Sequence, residues 1–149
     1  MAVARTLLAV ALVALATGCA LSEDSDDHDA GAAVKTVLEF EYFGDYGAAW
    51  DRLHPRHQRL VTRKAYDDCR RGIDVRGTIE SVVILDVEDT LLTVYGLPPR
   101  TPAKRVKVHV VTDETEYTAT YHVVKVGNDW RWVLSDEAAR GFKRTDCPA

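Results

Sequence analysis

The chain predicts an α+β domain in which N-terminal helices pack on a curved antiparallel sheet, and one change of period together with the order of the elements carries that prediction. Up to Gly72 the apolar residues recur at helical spacing, whereas from Arg76 onward they alternate with polar ones in a period of two. Helices first and strands second is the order in which helices cover one face of an antiparallel sheet. Residues 30–149 are of the common size for one hydrophobic core and hold neither a repeat nor a second linker.

The elements follow in order. Asp29 can cap a helix running to about Phe43, with Ala33, Val34, Val37 and Phe40 as its apolar stripe. Asp45 caps the next, where Tyr46, Ala49, Trp50 and Leu53 share a face, and this helix stops as His54 meets Pro55. After a turn at Arg56–Leu60, Thr62 caps a third helix carrying Ala65, Tyr66 and Cys69 on its buried side, with Gly72 as its stop. Thr78 to Val87 reads as a strand, Glu88-Asp89 as a turn and Thr90 to Tyr95 as a returning strand. Three prolines make Gly96–Pro102 a stiff loop.

The last strands can be set in register. A turn at Glu114-Thr115 places Val106, Val108 and Val110 opposite Val123, Tyr121 and Ala119, and a turn at Gly127-Asn128 places Val123 opposite Trp132. Both turns select one inner face. A one-residue slip would bury Arg105, Lys107 and His122, so the facing is well specified.

Ahead of the domain, Arg5 precedes an uncharged apolar run from Leu7 to Ala16, followed by Thr17, Gly18 and Cys19, the layout of a secretory signal. Uncharged residues extend from Thr6 to Ser22, 17 in all, short of the roughly 20 that a spanning helix needs. Leu15-Ala16-Thr17-Gly18-Cys19 resembles the bacterial lipobox, with Ala16 where leucine is usual. The resemblance implies a signal peptide over residues 1–18 and a diacylglycerol, with palmitate, on Cys19, which holds the protein on the extracytoplasmic side of the cell membrane. Ala16, Gly18 and Ala20 equally suit ordinary cleavage, which would give a secreted protein.

If Cys19 is acylated, Cys69 and Cys147 remain, and in an oxidising compartment they can form one disulfide closing most of the domain; two unrelated buried thiols are the alternative. Glu23, Asp24, Asp26, Asp27 and Asp29 make residues 19–29 an acidic tether expected to be disordered. One of the 19 basic residues and five of the 23 acidic ones precede Ala30, so the domain balances at 18 of each. That neutrality argues against a nucleic-acid partner.

A second resemblance lies in the domain. The run Val37-Leu-Glu-Phe-Glu-Tyr-Phe-Gly-Asp-Tyr-Gly-Ala-Ala-Trp-Asp-Arg-Leu-His-Pro55 resembles the opening of the nuclear transport factor 2-like superfamily, and Gly127-Asn-Asp-Trp-Arg-Trp-Val-Leu134 resembles its final strand. The resemblance covers residues 30–135. It implies a cone-shaped α+β fold, a pocket between sheet and helices, and frequent dimerisation through the sheet. It implies no single reaction, since the superfamily holds isomerases, dehydratases, cyclases and non-catalytic binders.

Chemistry must therefore come from individual residues. Tyr121 points inward by register, and Glu41 lies near the first helix's apolar stripe, with Asp86 at a strand end as a further carboxylate. Each also has an ordinary reading: a core aromatic, an exposed last-turn glutamate and a surface turn. Asp51, His54 and His57 have suggestive spacing, but Pro55 interrupts their helix, so two exposed loop histidines and no metal site are expected. His109 and His122 sit on the outer sheet face without a carboxylate or thiolate. The sequence carries no glycine-rich phosphate loop, serine nucleophile elbow or CxxC pair, and no cofactor is expected.

Arg52, Arg56, Arg59, Arg63, Arg70 and Arg71 form a basic cluster that reads either as a solvated helix face or as a patch for an anionic partner. Val124 and Val133 interrupt the charged outer sheet face and suit a homodimer or a protein partner there. The functional expectation is a membrane-anchored extracytoplasmic lipoprotein whose domain is a non-catalytic binding or interaction module. The alternative is a small isomerase- or dehydratase-like pocket enzyme using Tyr121 with Glu41 or Asp86.

Overall fold

The computed structural model describes residues 20–73 and 77–147; the expected signal peptide over residues 1–18 and Cys19 lie outside them. Five helices and four strands follow in the order α1 (Ala20–Tyr42), α2 (Tyr46–Asp51), α3 (Pro55–Gln58), α4 (Arg63–Arg71), β1 (Ile79–Leu92), β2 (Thr101–Thr112), β3 (Glu116–Val126), β4 (Asp129–Val133) and α5 (Asp136–Lys143). The strands form one antiparallel sheet in the order β1-β2-β3-β4. This is the α+β arrangement expected from the change of period.

Helix α1 crosses the inner face of the sheet and closes the main core. Ala30, Val34 and Leu38 meet Val82, Val106, Val108, Val110 and Val123 there. The four valines of β2 and β3 are fully buried, which is the facing that the alternation requires. A second cluster joins Val37 to Tyr46, Leu53, Tyr66, Cys69, Leu134 and Phe142, so α2, α4 and α5 close the other end. Two of the three predicted N-caps are in place, Asp45 accepting from the Ala48 amide at 3.0 Å and Thr62 from the Ala65 amide at 3.2 Å, and Gly72 ends α4.

Three departures concern charge and turns. First, α1 does not begin after Asp29. It begins at Ala20 and so includes the residues expected to form a disordered acidic tether. Two acids of that stretch find bases on the sheet, Asp26 on Lys125 at 2.6 Å and Asp27 on the buried Lys104 at 2.7 Å. Burial works against the Lys104 charge, and the Asp27 and Asp89 carboxylates outweigh it and raise its pKa.

Second, Glu88-Asp89 is not a turn. β1 runs straight through, because both acids face bases on β2: Glu88 pairs with Arg105, and Asp89 with Lys104 at 2.8 Å. Third, the β2–β3 turn centres on Asp113-Glu114, so Val106, Val108 and Val110 pair with Tyr121, Ala119 and Tyr117. The Thr112 hydroxyl accepts from the Thr115 amide at 3.0 Å and fixes this closure. The shift from the expected register is two residues, which leaves the same side chains inside. The Gly127-Asn128 turn sets Val123 against Trp132 as expected, with Gly127 at φ 63°.

The segment Arg56–Leu60, expected as a turn, contains α3, with Pro55 at its first turn and His54 as its cap. Nor is His57 an exposed loop residue: it is fully buried. Its Nδ1 accepts from the Leu134 amide at 3.0 Å, so the proton sits on Nε2, which donates to the Tyr95 carbonyl at 3.0 Å. The ring thus ties α3 to β4 and to the β1–β2 loop. Gly96 permits the approach, since a Cβ there would lie 3.2 Å from the His57 ring with φ at 91°.

Burial lowers the His57 pKa from 6.5 to about 4. The folded state therefore favours neutral His57, and its contribution is present above the unfolded value and is lost as pH falls. Between pH 7 and pH 4 the unfolding free energy of the native chain should fall by roughly 3 kcal/mol more than that of a His57→Gln variant. Denaturant titrations of both proteins across that range check this; parallel pH profiles would remove His57 from the account.

Candidate functional site

A cavity of about 430 Å³ opens between the C-terminal half of α1, α4, α5 and the inner ends of β3 and β4. Val37, Leu38, Ile73, Trp132, Leu134, Ala138 and Phe142 supply its apolar lining. Its polar groups include Glu41, Tyr66 and Arg70 on one side and Tyr42, Tyr117 and Tyr121 on another, with Thr120, His122 and Ser135 also lining it. A mostly apolar concavity with a few convergent polar groups is the usual form of a small-molecule site.

Glu41 is held from two directions. It is 7% exposed, so the ordinary reading of an exposed last-turn glutamate does not apply. The Tyr66 hydroxyl donates to its Oε1 at 2.5 Å and Arg70 Nε donates to its Oε2 at 2.6 Å. Tyr66 and Arg70 are four residues apart on α4, hence on one face, and that face meets the last turn of α1. Burial followed by the Glu41 charge raises the Tyr66 pKa far above the ordinary value, so its hydroxyl is a permanent donor. Burial opposes the Arg70 charge, and Glu41 outweighs it. The Glu41–Arg70 pair leaves this corner formally neutral.

The phenols form a separate group. The Tyr42 and Tyr117 hydroxyls lie 2.9 Å apart, and Tyr121 adjoins Tyr117 on the same face of β3. Burial raises the pKa of all three, so each stays protonated through the neutral range. Tyr121 thus points inward as its register requires, and it lines the same cavity as Glu41. Asp86 does not join them: it is exposed beside a bulge of β1, opposite Lys107. Trp132 and Tyr66 are walls of the cavity. Trp50, whose indole donates to the Val61 carbonyl, and Trp130 lie outside it.

Of the other aspartate and histidine candidates, only His122 also lines the cavity. Asp51 is engaged by Arg63 at 3.0 Å and His57 faces the core, so Asp51, His54 and His57 do not converge; among the described residues no group of three ligating side chains could hold a metal ion. His109 lies 3.6 Å from Glu116, and His122, lowered in pKa by burial and by Arg105, sits opposite that arginine. Of the basic cluster, Arg63 pairs with Asp51, Arg70 with Glu41 and Arg71 with Asp67, whereas Arg52, Arg56 and Arg59 enter no ion pair among the described residues. Val124 and Val133 are buried with Ala103, Leu92 and Leu97, so the chain's own β1–β2 loop covers the patch that suited a partner on the outer face.

Cys69 and Cys147 lie at bonding distance, with Cα atoms 5.4 Å apart. The link joins α4 to the tail of α5, whose Phe142 ring meets Tyr66 at 5.7 Å in the cavity wall. No helix among the described residues is long and apolar enough to cross a membrane. Comparison of the chain with models of known families, with curated proteins and with solved structures returns no match.

Proposed function

We propose that this chain is an extracytoplasmic lipoprotein, anchored through Cys19, whose nuclear transport factor 2-like domain binds a small, largely apolar molecule in its cavity without transforming it. The observation that carries the reading is the commitment of Glu41. A general base must be free to take a proton from its substrate, and both Glu41 oxygens are engaged by Tyr66 and Arg70. What remains is a space of about 430 Å³ with apolar walls and protonated phenols as donors, which suits an uncharged ligand with a polar acceptor. The alternative, an isomerase- or dehydratase-like enzyme, is favoured by Tyr121 and Glu41 lining one cavity, and it requires Glu41 to leave Arg70 during turnover.

A neutral apolar fluorophore, 1-aminoanthracene, should bind with micromolar affinity and lose at least about tenfold when Ala138→Trp fills the cavity, a penalty on the order of 1.4 kcal/mol. Equal binding by both proteins would remove the cavity from the reading. Intact-mass measurement of the mature protein should find diacylglyceryl and acyl mass on an N-terminal Cys19. A mature chain that begins after Cys19 would instead make the protein secreted.

A further inference from the structure

Helix α1 carries the chain from the residue after Cys19 to the centre of the domain without a flexible break. From Asp29 back to Ala20 the helix spans about 14 Å. Asp26 on Lys125 and Asp27 on Lys104 hold that part of it to the sheet and neutralise two of its acids. Arg52 lines a second cavity, of about 280 Å³, together with Asp29 and the β3–β4 turn. Arg52, directly after α2, therefore lies beside the part of α1 that leads to the anchor.

In the segment from Arg52 to Arg59 three arginines enter no ion pair among the described residues. Arg52, Arg56 and Arg59 are exposed, and no acidic residue occurs between Arg52 and Tyr66. Their backbone is held firmly: buried His57 anchors α3, and Gln58 donates to the Trp50 carbonyl at 3.0 Å. Arginine presents planar donors to phosphate oxygens and sheds its hydration more readily than lysine.

We propose that the face bearing Arg52, Arg56 and Arg59 docks on the headgroups of anionic phospholipids, so that the domain lies against the bilayer. The inference rests on the anchored reading of Cys19, because the short helical arm supplies the high local concentration of headgroups. Phosphate oxygens are the group recognised, and the bilayer is their source. Each arginine near an anionic surface strengthens docking by about fivefold.

Hydrogen exchange of the purified mature protein on vesicles tests this, with phosphatidylcholine alone or mixed with phosphatidylglycerol. The amides of residues 52–60 should gain at least about tenfold protection on the anionic vesicles, and should lose that gain in high salt or in an Arg52→Gln/Arg56→Gln/Arg59→Gln variant. Equal exchange on both vesicles overturns the proposal. Equal protection by soluble polyphosphate without vesicles also overturns it, by assigning the arginines to a free phosphate polymer. Intact mass of the same preparation reads the anchor separately: an acylated chain that shows no protection fails the docking alone, and a chain without the acyl mass fails the anchored reading.

Discussion

Replacing Cys147 by serine lowers the unfolding free energy by about 4 to 5 kcal/mol, the chain-entropy value for a link across a sequence separation of 78. Cys147 is the residue to change because it is exposed, whereas serine at buried Cys69 would add an unpaired hydroxyl to the core. The loss should be largest around α5, whose Ala139 and Phe142 enter the core that contains Cys69. Reductant added to the native protein should reproduce the effect. Denaturant unfolding with and without reductant measures it, and a loss below about 1 kcal/mol would mean that α5 is held by packing alone.

Glu41→Leu should cost roughly 3 kcal/mol, because it strands the Arg70 guanidinium and the Tyr66 hydroxyl without their acceptor. The lower part of the range for broken buried pairs applies, since the Arg70 side chain is 27% exposed and water can partly solvate it. Adding Arg70→Met to Glu41→Leu should recover part of the loss by removing the stranded charge. A double-mutant cycle should therefore return a coupling of at least about 1 kcal/mol. Additive losses would mean that the pair is not coupled in solution, which would free Glu41 for proton transfer and favour the enzyme alternative.

The helical half of the fold was legible at three of the ends that local rules assign, though not at Asp29, which lies inside α1. Asp45, Thr62 and Gly72 act within one turn of themselves, and all three hold the positions assigned to them. The sheet was legible in its facing, because burial of Val106, Val108, Val110 and Val123 tolerates no one-residue slip. It was less legible in its turns. Glu88-Asp89 looks like a turn until Arg105 and Lys104, some 15 to 17 positions away, arrive beside it. The acidic residues ahead of Ala30 look like a solvated tether until the sheet supplies Lys104 and Lys125. Helix α5 was not anticipated, although Ser135 caps it and Ala139 and Phe142 form its inward stripe.

The site divides in the same way. Tyr121 follows from strand alternation, and the same alternation would have given Tyr117 four residues earlier. Glu41 was a candidate, but its partner Arg70 was grouped with the surface arginines, because linear charge counting does not say which side of a helix a residue occupies. The i, i+4 spacing of Tyr66 and Arg70 was the available signal. His57 could not be read as buried: both of its partners, Tyr95 and Leu134, are backbone groups far along the chain.

The claim that the cavity is the binding site is tested most directly by following backbone amide and tryptophan indole resonances during a titration with 1-aminoanthracene. Shifts at Leu38, Tyr66, Leu134 and Phe142 and at the Trp132 indole, which line or edge the cavity, are the predicted result. Shifts confined to exposed Phe43 or to Val83 and Leu85 on β1, with the cavity resonances unmoved, would contradict it.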